Sequence, residues 1–241
     1  MNVALFGIKT EKIRPDLAAH SSLSIVEEHP DTVICYGGDG TLLTAELRWP
    51  GVPKVPIRNS RRGNRMMSYP PAEIIARLAE GTLVPTEFLK LSCTVNDEAA
   101  HPAMAAMNEF NIQVDRPNSA IRYAFWIDDE PFEHGVEIIG DGFVVSTPFG
   151  STAYYRQITR GIFYAGLGIA FKYTSELTNH LVIPEGSVIR ARVTRGPAVL
   201  GFDNSPSAVP LDTGDELTIC KDPRPAVILT MEPMRRPSDE F

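Results

Sequence analysis

The stretch CYGGDGTLL, residues 35–43, places one carboxylate inside a glycine-rich loop that follows an apolar run. Glycine has no Cβ atom, so the backbone amides of such a loop can approach phosphate oxygens closely. Asp39 would repel a phosphate, so its useful roles are to accept a proton from an attacking hydroxyl or to help hold a magnesium ion. A glycine turn in which the aspartate only caps the next helix is the alternative. The loop residues predicted to bind phosphates are Gly37, Gly38, Gly40 and Thr41.

Two further segments carry groups that suit a nucleotide. Asn108 and Glu109 offer an adjacent amide and carboxylate, which can bind vicinal hydroxyls or a carboxamide, although such a pair is also typical of a solvated strand end. The run DGFVVSTPFGSTAY, residues 141–154, predicts a strand followed by a loop rich in hydroxyls. Hydroxyls and backbone amides suit phosphate and ribose oxygens, and Tyr154 adds a stacking face. An ordinary surface loop is the alternative for this run.

Together, the segments GGDGT, NE and DGxxxSTPxGSTAY resemble the NAD kinase family in their residues and their order. GGDGT alone also occurs in 6-phosphofructokinases and in diacylglycerol and sphingosine kinases, whereas the serine–threonine segment is far more specific. The resemblance extends over about residues 32–220. It implies an enzyme that phosphorylates the 2′-hydroxyl of the adenosine ribose of NAD to give NADP. The implied donor is ATP or polyphosphate, with Mg²⁺ or another divalent cation.

The resemblance also implies roles for single residues. Asp39 would be the catalytic base, and Asn108 and Glu109 would bind the NAD that is phosphorylated. Asp141 would lie near the nicotinamide-side ribose. The other predicted NAD contacts are Thr147, Ser151, Thr152, Ala153, Tyr154 and, from a later strand, Ala170. The five histidines are scattered, with no two at the spacing of metal ligands, so no resident metal site is predicted.

One segment departs from the family's pattern. Where relatives usually carry a glycine-rich segment with an aromatic residue, this chain has PIRNSRRGNRMMSY, residues 56–69, in which residues 58, 61, 62 and 65 are arginines. These charges could form a basic lip for a phosphate-rich donor or for the pyrophosphate of NAD. A solvated arginine-rich loop is the alternative. Later, Asp203-Asn204 stands where relatives often carry DG or DH.

The secondary structure that must position these residues is predicted to change near Leu83, from alternating strands and helices to strands alone. Before this point apolar runs alternate with helical patterns, and after it short strand-like runs alternate with turn residues. The predicted strands of the first part are 2–8, 32–36 and 54–58, and the predicted helices are 17–29, 41–49 and 70–81. This pattern predicts an α/β N-terminal domain with a Rossmann-like parallel sheet and a β-rich, β-sandwich C-terminal domain. The predicted bounds are 1–84 and 85–222, with a C-terminal strand and tail, 223–241, that pack back on the first domain.

Composition limits the possible partners. The 241 residues carry a net charge of −7, which argues against a nucleic-acid partner. No apolar run approaches the roughly 20 residues needed to cross a bilayer, so no membrane partner is expected. Three cysteines far apart in the sequence predict reduced thiols and a cytoplasmic protein. Because relatives are usually oligomers, the resemblance implies a homodimer or homotetramer.

Two alternatives to an NAD kinase stay open at this point. The first is a GGDGT-type kinase that phosphorylates a lipid or another diol, against which the long serine–threonine segment argues. The second is a non-catalytic dinucleotide-binding sensor, which the atypical segment 56–69 keeps open.

Overall fold

The computed structural model describes residues 1–60, 63–97, 104–174 and 178–234. They form two compact units: one comprises Met1–Phe88 and the segment that begins at Pro225, and the other comprises Leu89–Arg224. The predicted basic residues 61 and 62 and the predicted tail 235–241 lie outside the described residues. Among the residues that are described, no helix has both the length and the apolar character required to cross a membrane.

In chain order the strands are β1 (Asn2–Gly7), β2 (Ser24–Ile25), β3 (Thr32–Gly37), β4 (Lys54–Arg58), β5 (Val84–Phe88), β6 (Leu91–Val95), β7 (Ala105–Ala106), β8 (Glu109–Val114), β9 (Ile121–Ile127), β10 (Glu130–Pro131), β11 (Ile138–Gly140), β12 (Gly142–Ser146), β13 (Leu167–Lys172), β14 (His180–Ile183), β15 (Ile189–Arg195), β16 (Ala198–Phe202), β17 (Val209–Leu211), β18 (Glu216–Lys221) and β19 (Ala226–Thr230). The helices are α1 (Arg14–Ala18), α2 (Asp39–Arg48), α3 (Pro71–Glu80) and α4 (Tyr154–Thr159). Short 3₁₀ turns cover Thr10–Ile13, Phe132–Gly135 and Gly150–Thr152.

The first unit is built on one six-stranded sheet in the order β2-β1-β3-β4-β19-β5. All neighbours are parallel except β19 and β5, which are antiparallel. Side chains of β3 are buried from Thr32 to Tyr36, as expected for a central strand covered on both faces. The parallel strands β1, β3 and β4 end at the same edge of the sheet, which is the edge where open α/β sheets bind ligands.

The prediction of a helix over residues 17–29 is wrong. Helix α1 ends at Ala18, and residues 24 and 25 instead form β2, in which Ser24 pairs with Asn2 and Ile25 pairs with Val3. Serine side chains compete with the helical backbone for hydrogen bonds, which weakens a helix in this region. Pairing with β1 satisfies the backbone groups that a short helix would have satisfied locally.

The second unit consists of two antiparallel sheets. One has the order β10-β9-β15-β18-β6-β7 with β11 beside β9, and the other has the order β14-β13-β12-β8-β16-β17. Phe125 of β9 packs on Phe143 of β12 and on Phe171 of β13, with ring centroids 5.2 and 5.5 Å apart. The sheets therefore face each other across an aromatic core, and the predicted β-sandwich is confirmed.

The alternation of β8 decides which of its side chains face this core. Phe110 and Ile112 are fully buried, and Phe110 lies against Phe202 of β16 with ring centroids 5.6 Å apart. Successive side chains of a strand point to opposite faces, so Glu109 and Asn111 lie on the other face of the sheet. Glu109, one of the predicted NAD-binding residues, therefore lies on the face of this sheet that is turned away from the aromatic core.

Candidate active site

The GGDGT loop joins β3 to α2. Gly38 caps the helix in an extended conformation (φ −121°, ψ −174°), and the helix begins at Asp39, two residues before the predicted start at Thr41. The Thr41 amide donates to the Gly38 carbonyl at 2.9 Å. A Cβ atom on Gly37 would lie 2.2 Å from the Thr41 hydroxyl, so this tight turn requires glycine. The loop therefore places a carboxylate in the first turn of a helix, at the ligand-binding edge of the sheet.

Both oxygens of the Asp39 carboxylate accept backbone hydrogen bonds. Oδ2 accepts the amide of Asn64 at 3.0 Å, and Oδ1 accepts the amide of Arg65 at 2.9 Å. We call these two amides the amide clamp. A carboxylate oxygen has two lone-pair sites, so each oxygen keeps acceptor capacity for a further group. The clamp fixes the plane of the carboxylate without using up its basic sites.

The segment PIRNSRRGNRMMSY is shaped by its own hydrogen bonds. Arg58 donates its amide to the Met67 carbonyl at 3.0 Å, and its guanidinium donates to the carbonyl of Gly63. Asn59 donates its amide to the carbonyl of Gly37 at 2.9 Å, which attaches the segment to the glycine loop. Arg58 therefore supports the turn that presents the amide clamp, a role that its charge alone did not predict.

In the second unit, Asp203 holds the backbone that carries the Asn–Glu pair. Its Oδ2 accepts the amide of Met107 at 2.7 Å, and its Oδ1 accepts the amides of Asn108 at 2.7 Å and Glu109 at 3.4 Å. Asp203 is not among the site residues that the sequence predicts. The signal that could have found it is the Asp-Asn pair directly after an apolar strand, where relatives often carry DG.

The carboxyl group of Glu109 is buried. Its side chain is only 5% exposed, and within the described part of the chain its Oε2 has no hydrogen-bond partner. Burial, and secondarily the negative charge of Asp203, raise the pKa of Glu109 to about 8. The neutral acid is thus well populated near pH 7, and it can donate a hydrogen bond as well as accept one.

The hydroxyls of Thr147 and Ser151 are engaged inside the protein. Thr147 Oγ1 donates to the Met107 carbonyl at 2.5 Å and accepts the amide of Gly150 at 3.0 Å. Ser151 Oγ donates to the Pro148 carbonyl at 2.8 Å. Both side chains are buried, so they hold the loop in place beside the backbone that precedes the Asn–Glu pair.

Gly150 shows how closely this loop approaches the Asn–Glu pair. A Cβ atom at this position would lie 2.2 Å from the carbonyl oxygen of Asn108. The Thr147 amide also donates to that oxygen, at 2.9 Å. The structure therefore brings the predicted residues Asn108, Glu109, Thr147 and Ser151 together at one end of β12.

The remaining predicted contacts are spread more widely. Tyr154 is 50% exposed at the start of α4, after Thr152, which is exposed, and Ala153, which is half-buried. Ala170 is fully buried and packs in a cluster with two aromatic side chains, those of residues 155 and 163. Asp141 precedes β12, whereas Thr147 follows it, so the two lie roughly 20 Å apart along the strand. The structure does not bring Asp141 to the Asn–Glu end.

The described side chains indicate how a divalent cation could be bound. Within the described ranges, no three histidine, cysteine, aspartate or glutamate side chains are grouped so that they could hold a metal ion. Mg²⁺ is usually bound through one or two carboxylates plus the phosphates of a substrate. The carboxylate of Asp39, which lies beside the glycine loop predicted to bind phosphates, fits such a site, in which substrate phosphates supply the other ligands.

The raised pKa of Glu109 predicts a pH-dependent stability. Because the folded protein binds this proton more tightly than the unfolded chain, whose pKa is near 4.5, the contribution is complete below about pH 4.5 and is lost as the pH rises through about 8. Relative to Glu109→Gln, we expect the wild type to lose free energy of unfolding across this window, on the order of a few kcal/mol. Urea denaturation of both proteins at several pH values measures the difference.

A second buried group, Lys172, sets the upper limit of the pH range for that experiment. Burial lowers the pKa of Lys172 to about 8, although the negative charge of Asp141 acts to raise it. Titration of Lys172 therefore changes the stability only above about pH 8, and there the stability rises with pH, whereas titration of Glu109 lowers it below about pH 8. Measurements between about pH 5 and pH 7.5 therefore report on Glu109. A wild type whose stability runs parallel to that of Glu109→Gln across this range would contradict the assignment.

Comparison with known proteins identifies the family. No protein-family model matches the chain. The NAD kinase of Saccharolobus solfataricus is 33% identical over 186 residues, which cover 74% of this chain and 70% of that protein. The NAD kinase of Saccharolobus islandicus (strain M.14.25) is 32% identical over 160 residues, which cover 65% of this chain but only 59% of that protein.

Two solved structures share the fold. Yeast NADH kinase complexed with NADH superposes with a TM-score of 0.81, at 17% identity over 95% of this chain and 83% of that chain. An NAD kinase from Archaeoglobus fulgidus in complex with ATP superposes with a TM-score of 0.78, at 21% identity over 96% of this chain and 94% of that chain. These likenesses confirm the predicted fold class. Because 33% identity to the Saccharolobus solfataricus enzyme extends over more than two thirds of both sequences, the chain belongs to the NAD kinase family.

Proposed function

We propose that this protein is an NAD kinase, which transfers the γ-phosphoryl group of ATP to the 2′-hydroxyl of the adenosine ribose of NAD. The observation that carries the proposal is the Asp39 carboxylate, which stands in the first turn of α2 after a glycine loop and is oriented by the amide clamp. The relatives support the substrates, since one solved structure holds NADH and the other holds ATP. Polyphosphate is the second possible donor.

The chemistry needs a base that takes one proton. As the 2′-oxygen forms its bond to the γ-phosphorus, the bond from that phosphorus to the bridging oxygen breaks and ADP leaves with the electron pair. The hydroxyl proton passes to a free lone pair of Asp39. A divalent cation, when bound with the donor, neutralises phosphate charge. The rest of the rate enhancement comes from positioning, which the amide clamp supplies for the base.

In this proposal NAD, the phosphoryl acceptor, binds to residues of the second unit. Asn108 offers a half-buried amide, and Glu109 offers a carboxyl group that can donate or accept at neutral pH. Both suit the vicinal hydroxyls of a ribose. Thr147 and Ser151 hold the loop that leads to Tyr154. The proposed lining of the dinucleotide site further includes Thr152, Ala153, Asp141 and Ala170, and the proposed phosphate loop includes Gly37, Gly38, Gly40 and Thr41.

One assay tests the function. Purified protein is incubated with NAD or NADH, with ATP or polyphosphate, and with Mg²⁺ or Mn²⁺, and NADP is measured with a coupled dehydrogenase. We expect NADP formation that requires both a donor and a divalent cation. Tight dinucleotide binding without turnover under every condition would favour the sensor, and phosphorylation of a lipid or another diol instead of NAD would favour the other kinase class. The homo-oligomer and the cytoplasmic location stay predictions, and light scattering after gel filtration measures the former.

Asp203 provides a test of the acceptor site. In Asp203→Asn one carboxylate oxygen becomes an NH₂ group facing backbone amides, so the Asn–Glu backbone loses hydrogen bonds to a charged acceptor. We expect the KM for NAD to rise roughly tenfold, as for a loss of about 1.5 kcal/mol, with a smaller change in kcat. The exposed Asp212→Asn is the matched control. An unchanged KM for NAD in Asp203→Asn would remove Asp203 from the positioning of the site.

A further inference from the structure

A buried lysine lies on the outer face of the sheet that contains β8, β12 and β13, turned away from the aromatic core. Lys172 is 8% exposed, and its neighbour Phe171 packs in that core, so the lysine side chain lies on the opposite face. Its ammonium donates to Asn111 Oδ1 at 2.7 Å and to Gln113 Oε1 at 3.4 Å. We call these three side chains the lysine–amide cluster.

A glycine of the middle strand leaves room for this cluster. Gly142 pairs with Lys172 on one side and with Gln113 on the other, so no side chain of β12 stands between them. Two strand spacings, roughly 9.5 Å, separate the two backbones, and the lysine side chain crosses this gap. A Cβ atom on Gly142, where φ is +125°, would lie 2.1 Å from the carbonyl oxygen of Ile112. The backbone therefore requires glycine here and keeps the gap open.

The cluster combines one positive charge with several hydrogen-bond donors. In the described part of the chain, both groups that accept from the ammonium are neutral amide oxygens. Asp141 acts on Lys172 through its charge and favours the ammonium form, whereas burial disfavours that form. An ammonium has three N–H donors, and each amide whose oxygen faces the lysine has two more. Because burying a cation beside neutral partners is costly, the cluster is suited to bind an anion.

The cluster continues a polar stripe that begins at the Asn–Glu pair. Glu109, Asn111 and Gln113 are alternate residues of β8, so their side chains follow one another on the outer face at intervals of about 6.8 Å. Oε2 of Glu109 is buried and has no hydrogen-bond partner among the described residues. On the next strand a Cβ atom on Gly201 would approach the Asn111 carbonyl oxygen no closer than 4.0 Å. The stripe thus has an unpaired polar atom at one end and space beside its middle.

The order of the groups along β8 matches the order of the groups in a dinucleotide. NAD contains a ribose, a diphosphate and a second ribose in succession. Glu109, proposed to bind the adenosine ribose, is followed along the stripe by the lysine–amide cluster. Asp141, predicted near the nicotinamide-side ribose, comes last, because it precedes the glycine that pairs with Gln113. A carboxylate suits ribose hydroxyls, whereas an ammonium with amide donors suits phosphate oxygens.

We propose that the lysine–amide cluster binds the diphosphate of the dinucleotide, so that NAD lies extended along the outer face of β8 from Glu109 towards Asp141. This inference rests on the proposed function and assigns Lys172, Asn111 and Gln113 as further residues that bind the phosphoryl acceptor. It also accounts for the position of Asp141 at the opposite end of β12 from the Asn–Glu pair, because one extended molecule reaches both ends.

The test removes the charge and compares ligands with and without a phosphate. In Lys172→Met we expect the KM for NAD to rise at least tenfold, with the KM for ATP within twofold of wild type. Inhibition competitive with NAD, measured at saturating ATP, isolates the phosphate contact. In the wild type 5′-AMP should inhibit at least tenfold more strongly than adenosine, whereas in Lys172→Met the two should differ by less than threefold. A lysine that only supports the fold would leave this ratio unchanged.

Two further variants complete the comparison. Gln113→Leu replaces an exposed amide, so it tests the cluster without disturbing a buried group, and we expect the KM for NAD to rise about threefold. Lys221→Met, which removes an exposed lysine from another strand of the same unit, is the matched control and should keep the wild-type KM. Thermal denaturation checks that all three variants are folded.

Calorimetric titration with NAD, without a donor, measures binding independently of turnover. Wild-type NAD affinity in both Lys172→Met and Gln113→Leu, or an unchanged ratio of 5′-AMP to adenosine inhibition, would overturn the inference while leaving the proposed function intact. Inorganic phosphate that binds the wild type but not Lys172→Met, without competing with NAD, would assign the cluster to a free anion and would overturn it as well. Absence of NADP with every donor would instead overturn the proposed function.

Discussion

Asp39→Asn is expected to lower kcat for NADP formation by about 10²–10⁴-fold, the usual contribution of a positioned general base. Asparagine has nearly the same shape, and its carbonyl oxygen can still accept one amide of the clamp, so the fold is kept. It cannot take the proton of the 2′-hydroxyl. Steady-state kinetics with saturating NAD and ATP measure the loss, and thermal denaturation checks the fold.

A matched control for this variant exists in the same unit. Asp16 also lies in the first turn of a helix, α1, so Asp16→Asn makes the same chemical change in a similar local setting. We expect its kcat to remain within twofold of wild type. If Asp39→Asn turned over within tenfold of wild type, Asp39 would not be the base.

Removing Glu46 is expected to cause the largest loss of stability. Lys54 is 1% exposed and Glu46 is 3% exposed. The Lys54 ammonium donates to the Glu46 carboxylate and, at 2.6 Å, to the Trp49 carbonyl, while Glu46 Oε1 accepts the Gly51 amide at 3.0 Å. Taking this carboxylate from a buried ammonium group costs about 3–5 kcal/mol. Glu46→Leu should therefore unfold at a clearly lower urea concentration than wild type.

Two comparisons separate the buried pair from a general effect of charge. The double variant Glu46→Leu/Lys54→Met removes both charges, and we expect it to recover most of the lost stability, because an apolar pair of similar volume is often as stable as a buried ion pair. Glu216→Gln breaks the exposed Arg192–Glu216 pair, 3.0 Å in length, and should cost less than about 1 kcal/mol. A single Glu46→Leu variant as stable as wild type would contradict the prediction.

The buried pair also bears on catalysis, because it lies toward the end of α2 opposite to Asp39. Lys54 belongs to β4, and its bonds to Glu46 and Trp49 hold the C-terminal end of the helix against the sheet. The amide clamp holds the N-terminal residue of the same helix. The helix that presents the proposed base is thus tied at both ends, as a preorganised site requires.

The sequence predicted the architecture well where the signal was periodic and long. The buried β3 run, the α3 pattern between Pro70 and Gly81, and the β-rich character of the chain after Leu83 follow from the spacing of apolar residues. It failed over residues 17–29, where an apparent helical pattern is overridden by strand pairing with β1. Periodicity measures a local preference, whereas edge pairing depends on a strand that is distant in sequence.

The site shows the same division. The glycine loop, the Asn–Glu pair and the serine–threonine run could be found because their side chains carry the chemistry. The amide clamp could not be found, since it uses backbone amides, which every residue except proline possesses. The role of Asp203 was missed for the same reason, because its three partners are also backbone amides.

By itself, the sequence determined the family, the two-part α/β and β-sandwich architecture, and the identity of the carboxylate proposed as base. Only the tertiary structure decided how that carboxylate is oriented, that Glu109 is buried enough to hold a proton near neutral pH, and that the Lys172 ammonium meets two amide side chains of β8. The physical reason is that residue type fixes which chemistry a group can perform. Orientation, desolvation and enclosure come from groups that are remote along the chain and meet only after folding.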